Sequence, residues 1–138
     1  MPSVFEHTLT VVADDIDRLG HVNNLTYLAW MQSAALAHSA AQGWPPERYE
    51  QLALAWVVRS HQIKYLQPAY LGDAIVVRTW VASMKRASST RDYKILRATD
   101  RALLASAATE WAFVDLSSGT LKRIPPELIG SFDLSDGT

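Results

Sequence analysis

The sequence predicts an α+β fold in which one long helix packs against an antiparallel sheet. Residues 4–12 alternate between polar and apolar side chains and are rich in β-branched types, which indicates a half-buried strand. A long apolar stretch then indicates a helix, and four further strand candidates follow it. The turns at residues 85–87 and 99–101 are short, which favours antiparallel neighbours. Such a helix and sheet bury their apolar faces against each other, with the sheet wrapped about the helix.

The helix is predicted to begin at Asn23 or Asn24 and to run to about Gln42. An Asn side chain can cap the unpaired N–H groups of the first turn, and Gly43 is a typical stop signal. Apolar residues spread around most of the circumference, so we expect burial on most sides. About five strands cannot enclose such a helix. We therefore expect at least a homodimer, with a tetramer left open, in which a second copy continues the sheet edge to edge.

The remaining strands are predicted at residues 53–66, 74–84, 88–98 and 102–116. The last of these is rich in alanine, which also suits a helix. Thr109, Trp111, Phe113 and Val114 favour a strand instead, because β-branched and aromatic side chains fit a pleated surface.

Composition narrows the classes of protein. The 138 residues suit one domain, residues 1–138, and a hydrophobic content of 49% excludes a wholly disordered chain. The lack of cysteine excludes a thiolate nucleophile and a Cys-ligated zinc site. The 13 Lys and Arg against 14 Asp and Glu give no bulk attraction to nucleic acid or to acidic membranes.

The sequence also gives expectations about the location of the protein and about metal binding. The first residues do not resemble a signal peptide. A membrane span needs about 20 mostly apolar residues, and the least polar long stretch, residues 25–41, is too polar to form one. A cytoplasmic protein that contacts no membrane is therefore expected. His7, His38 and His61 lack metal-ligand spacing, so no metal site is predicted.

The segment with the clearest chemistry covers residues 14–30, DDIDRLGHVNNLTYLAW. It is predicted to be a strand end, a polar loop and a helix start, where unpaired N–H groups and the helix dipole favour negative charge. A carboxylate at Asp17, just before that start, can serve as a base or nucleophile beside a polarised carbonyl. Asp14, Asp15 and Asp17 also suit a plain polar turn, so the residues alone leave both interpretations open.

Residues 15–28 read D-x-D-x-x-G-H-V-N-N-x-x-Y-L, and this pattern resembles the hotdog-fold thioesterases of the 4-hydroxybenzoyl-CoA thioesterase family. The segments YLQPAYLGD (65–73) and VDLSSGTLKRIP (114–125) resemble the family as well, and the order of elements agrees over about residues 4–125. The resemblance implies a hotdog fold and an acyl-CoA thioesterase that uses no metal or other cofactor.

The resemblance also implies roles for individual residues. Asp17 corresponds to the catalytic carboxylate, which attacks the thioester carbonyl or activates a water that does. The backbone N–H of Asn24 would polarise the thioester oxygen. His21 would orient water or donate to the carbonyl, or else bond within the loop. Asn23 and Tyr27 are candidate substrate contacts, with a helix cap and packing under the loop as their structural alternatives.

One departure from the family pattern concerns the helix. Many relatives carry a Glu there, whereas residues 28–34 read LAWMQSA and no carboxylate lies between Asp17 and Glu47. Asp17 is therefore expected to be the only local base, and Gln32 is a candidate ligand for water or substrate.

The acyl pocket is predicted between the helix and a neighbouring subunit. Its candidate walls are Trp30, Met31, Trp56 and Val58, although each also suits ordinary core packing. A basic run is predicted to hold the phosphates and pantetheine of coenzyme A, with a solvated hairpin face as the alternative. The run consists of Lys85, Arg86, Arg91, Lys94 and Arg97. The residues expected to contact coenzyme A are Lys85, Arg86, Ser88, Ser89 and Arg91.

Other functions stay open at this point. An acyl-carrier protein could replace coenzyme A as the thiol carrier. A dehydratase or hydratase, or a non-catalytic thioester-binding protein, can use the same helix and sheet, because a fold does not fix a function. Nucleic-acid binding is not expected, since no recognition motif accompanies the basic run.

Overall fold

The computed structural model describes residues 3–138, in which five antiparallel strands form a sheet around one long helix. The order of strands in the sheet is β1-β3-β4-β5-β2, and the arrangement confirms the predicted α+β fold. No helix in the described range is long and apolar enough to cross a membrane; a cytoplasmic location stays a prediction. The strands are β1 (Phe5–Thr10), β2 (Leu54–Tyr65), β3 (Ala74–Met84), β4 (Ser88–Arg97) and β5 (Leu103–Asp115).

The central helix α1 spans Asn24–Ala41 and begins and ends as its sequence predicts. The Asn23 side chain is the cap, because its Oδ1 accepts a hydrogen bond from the Leu25 N–H at 2.9 Å. At the other end Gly43 takes a φ of 92°, a left-handed conformation that ends a helix at little cost in glycine.

Two short helices were not predicted. Helix α2 spans Pro46–Gln51 and helix α3 spans Pro126–Gly130. Each begins at the second proline of a Pro-Pro pair. Proline at the first helical position loses no hydrogen bond and has a suitable φ, so Pro45-Pro46 ends α1 and also begins α2.

The strands follow the predicted pattern closely. The alanine-rich segment is strand β5, paired with β4 on one side and β2 on the other. Strand β1 is shorter than predicted, since Val11 leaves the ladder and donates its N–H to the Asp73 carbonyl at 3.0 Å. Strand β2 lies at the edge of the sheet, and within residues 3–138 it pairs only with β5. One side of a twelve-residue strand is thus left without a partner strand.

The inner face of α1 packs on the sheet and forms the core. Tyr27, Trp30, Met31 and Ala34 are all buried there. Removing a large apolar side chain such as Met31 from water contributes about 1.5–3 kcal/mol. The sheet residues packed with them are Ile75, Val77, Tyr93, Ile95, Leu104 and Ala105.

The opposite face of α1 is not covered by this chain. Leu25 is 71% exposed and Leu36 is 57% exposed. As expected for five strands, a single chain does not enclose the helix, because the sheet contacts only one face; burial of the other face by a second copy stays a prediction.

The C-terminal segment closes the far end of α1. Trp44, only 1% exposed, packs with Phe113, Leu128 and Phe132 in a second apolar cluster. The Trp44 indole Nε1 donates to the Ser131 hydroxyl at 2.9 Å. These contacts attach the end of the chain to the junction between α1 and α2.

Two ionisable side chains are buried together between α1 and the sheet. Arg91 on β4 is 6% exposed and His38 on α1 is 2% exposed. The Arg91 Nη1 donates to His38 Nδ1 at 2.9 Å and to the Thr79 hydroxyl at 3.1 Å. An arginine can only donate, so Nδ1 is assigned as the unprotonated acceptor. Burial, and secondly the charge of Arg91, lower the pKa of His38 to about 4.

This low pKa predicts how stability depends on pH. The folded protein keeps His38 neutral down to about pH 4, whereas the unfolded chain protonates this side chain below its ordinary pKa of 6.5. The contribution of His38 is complete above pH 6.5 and is lost as the pH falls towards 4. At 1.36 kcal/mol per pKa unit the loss is about 3 kcal/mol.

Urea unfolding at a series of pH values measures this loss. His38→Asn keeps an acceptor oxygen near the position of Nδ1 but does not titrate, so its free energy of unfolding should fall less between pH 6.5 and 4. An equal fall in the variant and in the unchanged protein would contradict the assignment.

Candidate active site

The loop before α1 is held as a short hairpin. Ile16 and Val22 form an isolated antiparallel bridge. Between them, the Asp17 N–H donates to the His21 carbonyl at 3.0 Å and the Gly20 N–H donates to the Asp17 carbonyl at 3.1 Å. Gly20 has a φ of 85°, where a side chain would be strained. The backbone on both sides of Asp17 is therefore fixed.

The Asp17 carboxylate is half-exposed within this hairpin. Its Oδ1 accepts a hydrogen bond from the Leu19 N–H at 2.8 Å. No cation within residues 3–138 forms an ion pair with it. A carboxylate oriented by one backbone N–H keeps lone pairs available to accept a proton or to attack an electrophile.

The start of α1 follows the hairpin directly. Asn23 caps the Leu25 N–H, and the Asn24 carbonyl accepts a hydrogen bond from the Tyr65 hydroxyl at 2.9 Å. The Asn24 N–H itself has no acceptor among the described residues. A free N–H at the positive end of a helix can stabilise a developing oxyanion.

The floor beneath the hairpin is the connection between β2 and β3. The Val22 N–H donates to the Ala69 carbonyl at 2.9 Å. Arg97 on β4 holds this connection by donating to Asp73 Oδ2 at 3.2 Å and to the Pro68 carbonyl at 3.0 Å. Arg97 belongs to the basic run predicted to hold coenzyme A, but it binds the segment YLQPAYLGD, which resembles the family.

His21 and Tyr27 occupy different surroundings. The His21 ring is half-buried and meets the Tyr70 ring edge-on, with centroids 6.5 Å apart. Tyr27 is buried and its ring contacts those of Trp30 and Tyr65. Tyr27 therefore supports the helix start from below, as its structural alternative predicts.

A cavity of about 460 Å³ lies between the second half of α1, helix α2 and the sheet. Trp56 lines it, as predicted for the acyl pocket, and so does Gln32. Trp30, Met31 and Val58 are not among its lining residues, and the first two pack in the core instead. Six further lining residues were not predicted, because residues far apart in sequence give no indication that they meet in the fold. These residues are Leu36, Tyr49, Val81, Met84, Trp111 and Phe132.

The basic run does not form one surface. Lys85 and Arg86 are exposed at the turn after β3, whereas Arg91 is buried beneath α1 and lines the cavity. Ser89 is also buried, and its hydroxyl donates to the Ser83 carbonyl at 2.9 Å; Ser88 is half-buried. Alternate residues of a strand point to opposite faces, and Arg91 points to the inner one. The prediction that groups Arg91 with the exposed cations is therefore wrong.

The predicted catalytic residues and the predicted carrier residues lie at opposite ends of the sheet. The Asp17 hairpin is attached at the start of β3 through the bond between Val11 and Asp73, and Lys85 follows the end of β3. Eleven residues of strand separate them by about 30–35 Å. The structure brings Asp17, His21, Asn23 and Asn24 together, but not with Lys85 or Arg86.

Two thioesterases are similar to this chain in sequence over most of its length. Acyl-[acyl-carrier-protein] hydrolase FATB2 of Cuphea viscosissima is 27% identical over 134 residues, which cover 91% of this chain but only 32% of that protein. The chain thus spans about a third of the plant enzyme. The acyl-CoA thioesterase YbgC of Haemophilus influenzae is 27% identical over 129 residues, covering 93% of each chain.

Similarity to solved structures supports the same fold. Slr0204, a 1,4-dihydroxy-2-naphthoyl-CoA thioesterase from Synechocystis, superposes with a TM-score of 0.86 at 20% identity, covering 93% of this chain and 94% of that one. The model of the Thioesterase-like superfamily matches residues 11–132, which include the Asp17 hairpin, strands β2 to β5 and the second apolar cluster. The predicted resemblance is confirmed, and the chain belongs to the Thioesterase-like superfamily.

Proposed function

We propose that this protein hydrolyses an acyl-CoA thioester to a free acid and coenzyme A. The observation that carries the proposal is a half-exposed carboxylate at Asp17, bound by the Leu19 N–H, in a hairpin that leads directly into a helix start with a free Asn24 N–H. One group supplies the base or nucleophile that a thioester requires, and the other supplies the oxyanion donor. YbgC, which this chain matches over nearly its whole length, is named as an acyl-CoA thioesterase and supports this choice.

The chemistry has two routes that start from the same bound substrate. The Asn24 N–H donates to the thioester oxygen. In the first route Asp17 takes a proton from a water molecule, whose oxygen bonds to the carbonyl carbon. In the second route Asp17 attacks that carbon itself, and water later hydrolyses the mixed anhydride. In both routes the carbon–sulfur bond breaks and its electron pair leaves with the thiolate, which is then protonated. Neither route requires a metal or other cofactor.

We infer that the complete site needs a second copy of this chain. The cavity and Lys85 lie towards one end of the sheet, where Trp56 is found, while Tyr65 contacts Asn24 at the other end of β2. An antiparallel pairing of two β2 edges would bring the Trp56 end of one copy beside the Asn24 end of its partner. The acyl cavity of one subunit would then serve the carboxylate of the other.

The exposed cations suit the carrier in this arrangement. Of the residues expected to contact coenzyme A, Lys85, Arg86 and Ser88 remain available for phosphate, since Ser89 and Arg91 are buried. Acyl-carrier protein is the second candidate carrier, supported by the plant hydrolase that matches 91% of this chain. Hydrolysis rates for the same acyl group on coenzyme A and on acyl-carrier protein distinguish the two.

Replacing the catalytic carboxylate should abolish most turnover without affecting the fold. Asp17→Asn keeps an oxygen to accept the Leu19 N–H but cannot act as a base or nucleophile. The expected fall in kcat is about 10²–10⁴-fold, measured as thiol release from a panel of short, long, branched and aromatic acyl-CoA substrates.

Asp14→Asn is the matched control for this experiment. Asp14 lies three residues away, is exposed and makes no side-chain hydrogen bond within the described range. Its replacement should leave turnover unchanged. A folded Asp17→Asn protein with full activity would exclude this mechanism.

Removing the oxyanion donor is possible without breaking the helix. Asn24 occupies the first helical position, where proline is well tolerated, and Asn23 already has the extended backbone that precedes proline. Asn24→Pro deletes the N–H and should lower kcat by about 10²–10³-fold, whereas Asn24→Ala keeps the N–H and should retain activity. Equal activities for the two variants would show that this N–H takes no part.

The dimer is tested by light scattering at micromolar concentration, where we expect about twice the chain mass of 15.3 kDa. Leu25→Glu places a charge on the uncovered face of α1, which a second copy is expected to cover, and should therefore favour the monomer. A glutamate in the first turn suits the helix dipole, so the fold should persist. Leu134→Glu, a change at a position 55% exposed near the C-terminus, is the control and should stay dimeric. A monomer for the unchanged protein would contradict the inference.

A further inference from the structure

The cavity beneath α1 contains one buried charge in a mostly apolar lining. Aromatic and aliphatic side chains form most of its wall, including Trp56, Trp111 and Phe132. Arg91 reaches the same cavity from β4 and is 6% exposed. A guanidinium is seldom buried beside apolar side chains without an anion, because removing its charge from water is strongly unfavourable.

No anion in the described part of the chain balances this charge. Arg91 forms no ion pair within residues 3–138. His38 accepts a hydrogen bond from Nη1 but is neutral, and Thr79 is neutral as well. The only carboxylate that lines the cavity belongs to Glu50, which is exposed and unpaired with Arg91.

The guanidinium still has hydrogen-bonding capacity. Arginine has five N–H donors, and the two bonds described above both come from Nη1. The Nε and Nη2 atoms make no hydrogen bond to a described residue. A carboxylate is the anion whose two oxygens match two such donors side by side.

The other polar groups of the cavity wall are largely satisfied by one another. The Tyr49 hydroxyl bonds to the Ser39 hydroxyl at 2.9 Å and accepts from the Trp56 Nε1 at 3.2 Å. Ser39 also donates to the Trp44 carbonyl at 2.8 Å. Arg91 is thus the one charged, buried donor in the lining with unused N–H groups among residues 3–138.

We propose that this cavity binds a carboxylate carried on an apolar chain, with Arg91 as its ion-pair partner. The volume of about 460 Å³ lies within the range of pockets that bind small molecules, and the apolar wall suits an aliphatic chain. Resting on the proposed function, this assigns the substrate as an acyl thioester whose far end is itself a carboxylate. A free fatty acid presents the same chemistry, and the experiments below separate the two sources.

The first experiment measures binding without turnover. Quenching of tryptophan fluorescence reports occupancy, because Trp56 and Trp111 line the cavity. At neutral pH octanoate should bind about tenfold or more tightly than 1-octanol, and octylamine should bind least. This comparison uses the unchanged protein, so it does not depend on whether a variant folds. Equal affinity for octanoate and 1-octanol would overturn the proposal.

A pair of variants assigns the carboxylate to Arg91. Arg91→Gln keeps an N–H donor for His38 and should lose the preference for octanoate over 1-octanol. Lys94→Gln removes an exposed cation three residues along the same strand and should keep that preference. Retention of the preference in a folded Arg91→Gln protein, verified by circular dichroism, would overturn the assignment.

The second experiment identifies the source of the carboxylate. Suberyl-CoA and octanoyl-CoA have acyl chains of equal length and differ in the terminal carboxylate. A kcat/KM about tenfold or more in favour of suberyl-CoA, abolished in Arg91→Gln, would support the dicarboxylic substrate. A preference for octanoyl-CoA, with octanoate still bound through Arg91, would overturn that substrate in favour of a free-acid site. Octanoate binding without hydrolysis of any thioester would instead contradict the proposed function and leave the cavity assignment supported.

Discussion

The packing of α1 against the inner face of the sheet is the constraint on which the rest of the structure depends. Its buried side chains, from Tyr27 to His38, fix how the helix lies along the sheet. The Asp17 hairpin adjoins its first turn, and the cavity lies beneath its second half. The site and the pocket are therefore two ends of one rigid element. The geometry of the candidate site comes from core packing together with the hairpin's own hydrogen bonds, because Val22 is buried in the same core and Ile16 packs against it.

Local signals in the sequence were sufficient for the secondary structure. A long apolar stretch, an Asn cap and a Gly stop placed α1 within a residue, and β-branched and aromatic residues identified an alanine-rich strand correctly. The candidate site at the hairpin could also be predicted, because Asp17 and Asn24 lie close together in sequence and within a pattern that resembles the family. Helix α2 could not be predicted from these signals, because the Pro45-Pro46 pair is equally compatible with the end of α1 and with the beginning of another helix.

The cavity could not be predicted in the same way. Trp30 and Trp56 are both tryptophans, yet one is in the core and the other lines the cavity. That difference depends on which face of each helix and strand meets its neighbour, and local sequence patterns do not determine this. Arg91 shows the same limit, since a run of basic residues looks like one surface until strand alternation places one of them inside.

The free edge of β2 affects how the monomer behaves before it pairs with a second copy. A long unpaired edge offers a row of N–H and C=O groups to any extended segment it meets. Natural sheets commonly protect such edges with prolines or inward charges, and β2 has no proline. Pairing with an identical copy would remove this risk of aggregation by occupying the edge. Selection for solubility and selection for a two-subunit site would then act on the same twelve residues.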